Sequence, residues 1–247
     1  MATAGRTLPL LADGFVDLVL GSRCVGCGRP GRPCCPACRE AVRACAEEAG
    51  PHWPTPCPAG LVPPYAVGEY GGLLRALVLA HKERRVLALA RPLGELLAGS
   101  VAVAAASAPG PVVLVPVPSR ASTVRRRGHD PMLAMTRVAA GLLGPEVQVG
   151  RVLRLRPGVV DQAGLDAAGR AVNLAGSMTA PAAGVRRLAR RCPRAHVVVC
   201  DDVLTTGATV REAQRALEAA GVPVHAAAVV AATRRRTRAP SAGGPPT

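Results

Sequence analysis

The chain has 247 residues, of which 49% are hydrophobic and only 2% aromatic, and its 31 Lys and Arg against 16 Asp and Glu give a formal net charge of +15. That length suffices for one sizeable core plus a small appendage; the core must be built from Ala, Val and Leu, and so few aromatics argue against an extended base-stacking platform. The positive excess attracts polyanions, whether nucleic acid or phosphorylated small molecules, but all basic residues except one are Arg, beside abundant Ala, Gly and Pro, and a GC-rich coding bias gives the same mixture.

Taken in chain order, residues 8–20 are interrupted by Asp13 and Asp17 and lack a small-residue cleavage site, so a secretory leader is not expected. Leu11, Phe15, Leu18 and Val19 fall instead at helical spacing and form one apolar packing face. Nine cysteines in a chain read as having no export signal point to metal or free thiols rather than disulfides. Cys24-Val25-Gly26-Cys27 and Cys35-Pro36-Ala37-Cys38 are two Cys-x-x-Cys pairs with seven residues between them, a spacing that lets each pair face one tetrahedral ion. Zn²⁺ is the expected occupant, in a closed, structural site on Cys24, Cys27, Cys35 and Cys38. Cys34 rivals Cys35, at one residue too wide a spacing, while Cys45, His52 and Cys57 have no assigned role. Cys192 and Cys200 read as isolated small apolar residues.

Residues 1–60 are expected to form an N-terminal helix and zinc-stapled cap, with 51–64 as a Pro-rich connector, 61–233 as the main domain and 234–247 as a disordered basic tail. Within the main domain the patterning predicts a strand over 65–70 and a helix over 73–80 that ends in His81-Lys82. A helix over 86–106 and a strand over 112–115 follow, then a helix over 132–143 and a strand near 147–153. After an irregular stretch come a strand before Asp201, a helix over 210–220 stopped by Gly221, and a last strand over 222–232. Pro109-Gly110-Pro111 divides the uncharged run 96–119, so no membrane insertion is expected and the protein reads as soluble and cytoplasmic. Alternating helices and strands predict an α/β fold, a doubly wound parallel sheet with a small N-terminal cap.

The densest chemistry lies in residues 197–209. A short β-branched run without alternation is a strand buried on both faces, and ligands of such sheets bind at the strands' carboxyl ends. There Asp201 and Asp202 suit vicinal hydroxyls or a hydrated metal. Thr205, Thr206, Gly207, Ala208 and Thr209 then form a hydroxyl-rich turn leading into a helix, which suits a phosphate monoester, and Val203 and Leu204 before it join the expected ligand-binding residues. Hydroxyls close to a phosphate describe a ribose 5-phosphate.

The run resembles the phosphoribosyl diphosphate (PRPP) signature of type I phosphoribosyltransferases, and the chain from its Cys-rich start to that signature is similar to the ComF branch of the superfamily. The resemblance implies a sheet of the type I phosphoribosyltransferase kind and a small zinc ribbon at the cysteine pairs. It places Asp201 and Asp202 on ribose hydroxyls, residues 205–209 on the 5-phosphate, and Ser119 and Arg120 of the Val-Pro-Val-Pro-Ser-Arg turn beside the diphosphate, with Mg²⁺. Arg125-Arg126-Arg127-Gly128 resembles the start of a ComF motif in a mobile loop that closes over PRPP, but His129-Asp130-Pro131 stands in place of Phe-Asn-Gln. Lys82, the one lysine, matches a ComF lysine after a helix, so Lys82 and Arg127 join the acid pair as expected catalytic residues. Asp161-Gln162, Leu165, Arg170 and Asn173-Leu174 resemble further ComF segments.

Two functions follow from the resemblance. One is an enzyme that transfers or recognises a 5-phosphoribosyl group with Mg-diphosphate as leaving group. The other is a non-catalytic competence factor for DNA uptake, with single-stranded DNA and a competence helicase as partners; the Arg clusters at 125–127, 186–194 and 234–238 favour such polyanion contact.

Overall fold

The structure is a computed structural model, and it describes residues 22–156 and 175–233. The expected N-terminal helix, the residues Asp161 to Leu174 of the ComF resemblance and the basic tail lie outside the described residues.

The elements are α1 (Pro36–Glu47), β1 (Gly50–Pro51), β2 (Pro64–Ala66), α2 (Gly72–Glu83), α3 (Ala90–Ala105) after a 3₁₀ turn at Leu87–Leu89, and β3 (Val112–Pro116). There follow α4 (Ala121–Arg127), α5 (Pro131–Leu143), β4 (Val147–Val149), β5 (Arg154–Leu155), β6 (Met178–Thr179), α6 (Ala182–Arg191), β7 (His196–Leu204), α7 (Ala208–Glu218) and β8 (Val224–Ala232). Six strands form one sheet in the order β1-β2-β8-β7-β3-β4, parallel except for the β1–β2 pair, and β5–β6 is a separate antiparallel pair.

Helices cover both faces, as an all-parallel interior requires. Val198, Cys200, Ala226, Ala228 and Leu114 pack with α2, α3 and α5, while Val113, Val115, Val197, Val199 and Val229 pack with α7 on the other side. Alternation along each central strand therefore serves two cores, which is why β7 shows no polar face before Asp201. Alanines on β8 allow close helix approach, and the buried Ser100 hydroxyl of α3 donates to the Val229 carbonyl at 2.8 Å. The stretch Leu87–Ala105 is long and apolar enough to cross a membrane, but Leu93, Leu96, Leu97 and Val101 are buried in the core.

The sheet positions the site through its topology. Chain leaving β3 turns toward β4, and chain leaving β7 turns toward β8, so the carboxyl ends of these neighbouring strands flank a crevice where connectivity reverses. Ligands of open α/β sheets bind at such switch points.

Several expectations are revised in detail. The strand before Asp201 continues through the acid pair to Leu204. The strand expected near 147–153 ends at Val149; Gly150 and Arg151 break the run before β5, and a Cβ at Gly150 would lie 2.8 Å from Val113. The stretch expected to be irregular contains β6 and α6. The expected mobile loop at 125–130 is the end of helix α4, its left-handed cap at Gly128 (φ 75°) and the N-cap of α5. Residues of the Pro-rich connector also take part in the fold, since β1 pairs with β2 at Gly50↔Ala66 and Pro51↔Tyr65.

The cysteine cap packs directly on the helices. Arg39 of α1 pairs with Glu95 of α3, and the two helices approach closely at Gly99, where an added Cβ would lie 2.3 Å from the Ala46 carbonyl oxygen.

Candidate functional site

Asp201 and Asp202 lie near the end of β7, with Val203 and Leu204 between them and the 205–209 loop. The Asp202 amide donates to the Asp201 carboxylate at 2.9 Å. Across the crevice, the Lys82 ammonium near the end of α2 reaches the Asp202 carboxylate at 2.5 Å. The pair is partly shielded, Asp202 being 14% and Lys82 41% exposed along the side chain. Burial and the adjacent Asp202 charge push the Asp201 carboxyl up to about 7, with Lys82 opposing them. Lys82 is held above its ordinary range: burial works to lower it, but attraction to Asp202 outweighs that.

The next residue, Glu83, accepts from Arg127 at 2.7 Å, and the Arg127 side chain is only 13% exposed. The consecutive Lys82 and Glu83 thus anchor the end of α2 at both the acid pair and the end of α4. Beneath them, His81 is 1% exposed and its ring centroid lies 5.4 Å from that of His129. The His81 Nδ1 bonds the Val86 carbonyl at 3.1 Å, while the Nε2 atoms of both histidines are buried without a partner. Burial holds His81 below its ordinary value, so it is neutral at pH 7.

The departure at His129-Asp130-Pro131 has a local cause. Asp130 is the N-cap of α5, accepting from the Leu133 amide at 3.2 Å, with Pro131 at the first helical position, and its carboxylate also accepts from the Ser119 hydroxyl at 3.3 Å. The Ser119 turn and the start of α5 are therefore one hydrogen-bonded unit. Arg120 is the N-cap of α4, in extended conformation.

On the other side of the crevice, Thr205 is exposed, Thr206 half-buried, and the Thr206 hydroxyl accepts from the Ala208 amide at 3.4 Å. Gly207 has φ 75° and begins α7; Thr209 lies in the first turn, half-buried. The Pro-rich connector covers this glycine, for a Cβ there would meet Pro54, Leu61 and Pro58 at 3.1 to 3.3 Å. Two side chains of α7 fasten that connector: Arg211 donates to the Ala59 carbonyl at 3.0 Å and Gln214 to the Gly60 carbonyl at 2.9 Å. Sequence reading assigned neither of them, although their one-turn spacing on a helix opening at the loop was visible. A second clamp ties α7 to β6. The buried Glu212 accepts from the Met178 amide at 2.8 Å and from Arg215 at 2.6 Å. Burial would raise Glu212, but Arg215 and the backbone amides hold it below the ordinary carboxylate range.

Residues 159–243 match the family model of the phosphoribosyl transferase domain. This stretch is phosphoribosyl transferase-like. It spans β6 to β8, including the acid pair and the 205–209 loop, and the fold that holds it is a mostly parallel α/β sheet with a small cap. No curated protein matches the chain.

In the cap, the sulfurs of Cys24, Cys27, Cys35 and Cys38 all lie within 4.8 Å of one another. Bonds of about 2.3 Å to a tetrahedral zinc ion require sulfurs roughly 3.8 Å apart, and those of Cys27 and Cys35 are 3.6 Å apart. The Cys35 amide also points at the Cys24 sulfur at 3.4 Å, a contact that stabilises thiolate. The donor set fits a zinc-ribbon cap. Cys35, not Cys34, completes it, and Cys45, His52 and Cys57 stand apart from the cluster. Cys200 is buried in the core on the α2, α3 and α5 side of the sheet, and Cys192 packs at the edge of the core on the other side.

Proposed function

We propose that the crevice between β3 and β7 binds PRPP and that the chain is a phosphoribosyltransferase acting with Mg-diphosphate as leaving group. The observation that carries this reading is the acid pair set one strand-end from an anion-type loop and neutralised by Lys82. Residues 205–209 take the 5-phosphate through the amides of the α7 start and the threonine hydroxyls, and Asp201 and Asp202 accept from the ribose hydroxyls. Ser119 and Arg120 face the diphosphate.

Carboxylates with one oxygen free of the lysine fit a hydrated Mg²⁺ that arrives with PRPP, and Asp201 would meet it; the ion supplies charge neutralisation at the leaving group. The transfer breaks the C1–O bond with its electron pair leaving on diphosphate, while a lone pair of the acceptor bonds C1 and the acceptor's proton passes to solvent. The protein's contribution is positioning and electrostatics. Arg127, held by Glu83, is a positioning residue that keeps the Ser119-to-Asp130 unit against the end of α2.

Calorimetry with PRPP and Mg²⁺ tests this. Wild-type protein is expected to bind, and Asp201→Asn/Asp202→Asn to lose binding; a wild type that shows no PRPP heat overturns the reading. Diphosphate release in the presence of candidate acceptors separates transfer from recognition alone.

One observation supports the competence-factor reading. Arg186, Arg187, Arg190 and Arg191 lie on or at the edge of the exposed side of α6, and among the described residues no carboxylate pairs with them. Binding of single-stranded DNA that weakens steeply with salt would support it, and salt-independent binding would count against its electrostatic form.

A further inference from the structure

Next to the crevice, on the β4 side of β3, the surface folds into a cleft of about 500 Å³ between the β3–α4 turn and residues 151–155. That is within the size range of small-molecule sites. Its walls are apolar at Val117 and Leu153, and three guanidinium-bearing residues, Arg125, Arg151 and Arg154, line it. Among the described residues no carboxylate pairs with these arginines. The one acid among the described residues of the cleft, Asp130, is already engaged in capping α5 and in accepting from Ser119.

Among the described residues this lining contains no amide side chain. A neutral nucleobase presents donors and acceptors together and needs both in return. Guanidinium groups offer donors only, in a fork that matches a carboxylate. The cleft also borders the reacting centre: the Val117 amide donates to the Cys200 carbonyl at 2.9 Å, one residue before Asp201.

We propose that this cleft holds the acceptor of the phosphoribosyl group and that the acceptor is a carboxylic acid on a largely apolar body, its carboxylate gripped by Arg151 and Arg154 while the lone pair of a nitrogen elsewhere on the same molecule bonds C1 as the C1–O bond to diphosphate breaks. This rests on the phosphoribosyltransferase reading above and names its substrate class. The leaving diphosphate is the other anion these arginines could serve, so the test must separate the two.

The full chain is first titrated with PRPP and Mg²⁺, and the loaded protein then with benzoate, nicotinate, adenine and uracil, for wild type, Arg151→Ala/Arg154→Ala and Arg151→Lys/Arg154→Lys. Both arginine side chains belong to exposed residues, so the variants are expected to melt with wild type. The acids are expected to bind and the neutral bases not. The Ala variant is expected to lose about tenfold or more in acid affinity, two charge-assisted bonds being removed, with PRPP affinity unchanged and the Lys variant intermediate. Neutral bases binding as tightly as the acids, no acid binding to wild type, or acid binding indifferent to both substitutions overturns the proposal. A parallel loss of PRPP affinity in the Ala variant also overturns it, because it assigns the arginines to diphosphate. Failure of wild type to bind PRPP at all shows in the first titration and is failure of the phosphoribosyltransferase reading itself.

Discussion

Lys82 and Asp202 are 120 residues apart in the chain and their charged atoms are 2.5 Å apart. The pair joins the end of α2 to the end of β7, so that the only lysine in an arginine-rich chain neutralises one of two adjacent carboxylates just before the 205–209 loop. On the proposed PRPP reading, Lys82→Met leaves both acids uncompensated beside the bound phosphates. PRPP affinity is expected to fall about tenfold, the equivalent of one charge-assisted hydrogen bond, which calorimetry reads. Because the Lys82 side chain is 41% exposed, solvent screens its pairing in part and the cost in folding stability is expected to be about 0.5–1 kcal/mol.

Asp201 gives the site a pH signature. Its folded pKa, about 7, lies above the ordinary value of 3.8, so the native state holds a proton that the unfolded chain has released. The stability this contributes is full below the unfolded value and is lost as pH rises through the folded one. Between about pH 4 and 7 stability from this group declines, while ionised Asp201, the form proposed to accept from ribose hydroxyls, becomes more populated. PRPP binding is expected to strengthen across the same interval in which the melting temperature drifts down. Asp201→Asn is expected to flatten both trends; persistence of both in that variant assigns them elsewhere.

Glu212 behaves in the opposite sense. Its folded pKa is depressed, so the clamp between α7 and β6 contributes above the unfolded carboxylate value and is lost as pH falls through the folded one. Glu212→Ala leaves Arg215 and the Met178 amide without their acceptor and is expected to cost about 2–4 kcal/mol, measured by denaturant unfolding at neutral pH. The gap between wild type and variant is expected to narrow in acid.

At Gly207 a side chain meets two obstacles, the left-handed backbone and the connector prolines 3.1 to 3.3 Å from where its Cβ would be. Gly207→Ala is expected to destabilise by about 1–3 kcal/mol and to weaken PRPP binding by displacing the α7 start. Thermal melting and calorimetry on the same variant separate the two effects.

The cap can be probed at its metal and at its docking surface independently. Cys35→Ser is expected to lose bound zinc and with it the order of the ribbon, which metal analysis reads. Gly99→Ala is expected to keep the metal and still destabilise by about 1–3 kcal/mol, since its Cβ enters the space of the Ala46 carbonyl.

What could be read from the chain beforehand was whatever is local. The strand–acid–loop run 197–209, the Cys-x-x-Cys pairs and β3 each carry their signal within a few neighbouring residues. Helix α6 escaped because its apolar residues Val185 and Leu188 are only partly buried under a dense arginine face. Helix α4 escaped because seven residues give too little periodicity, and three arginines before a glycine read as a loop. The contacts that assemble the site were invisible for another reason: Arg127 finds Glu83 from 44 residues away and Gln214 finds Gly60 from 154, and long-range pairing leaves no mark on either local segment.

The connector that lies over Gly207 begins beside the chain's single tryptophan. Trp53 is 53% exposed and immediately precedes Pro54, whose ring is the nearest neighbour a Gly207 side chain would have. The protein therefore carries its own optical probe at this position: the emission of one indole, uncontaminated by any other, is placed to report on the connector over the 205–209 loop, the proposed phosphate site, without a label and in the unmodified chain.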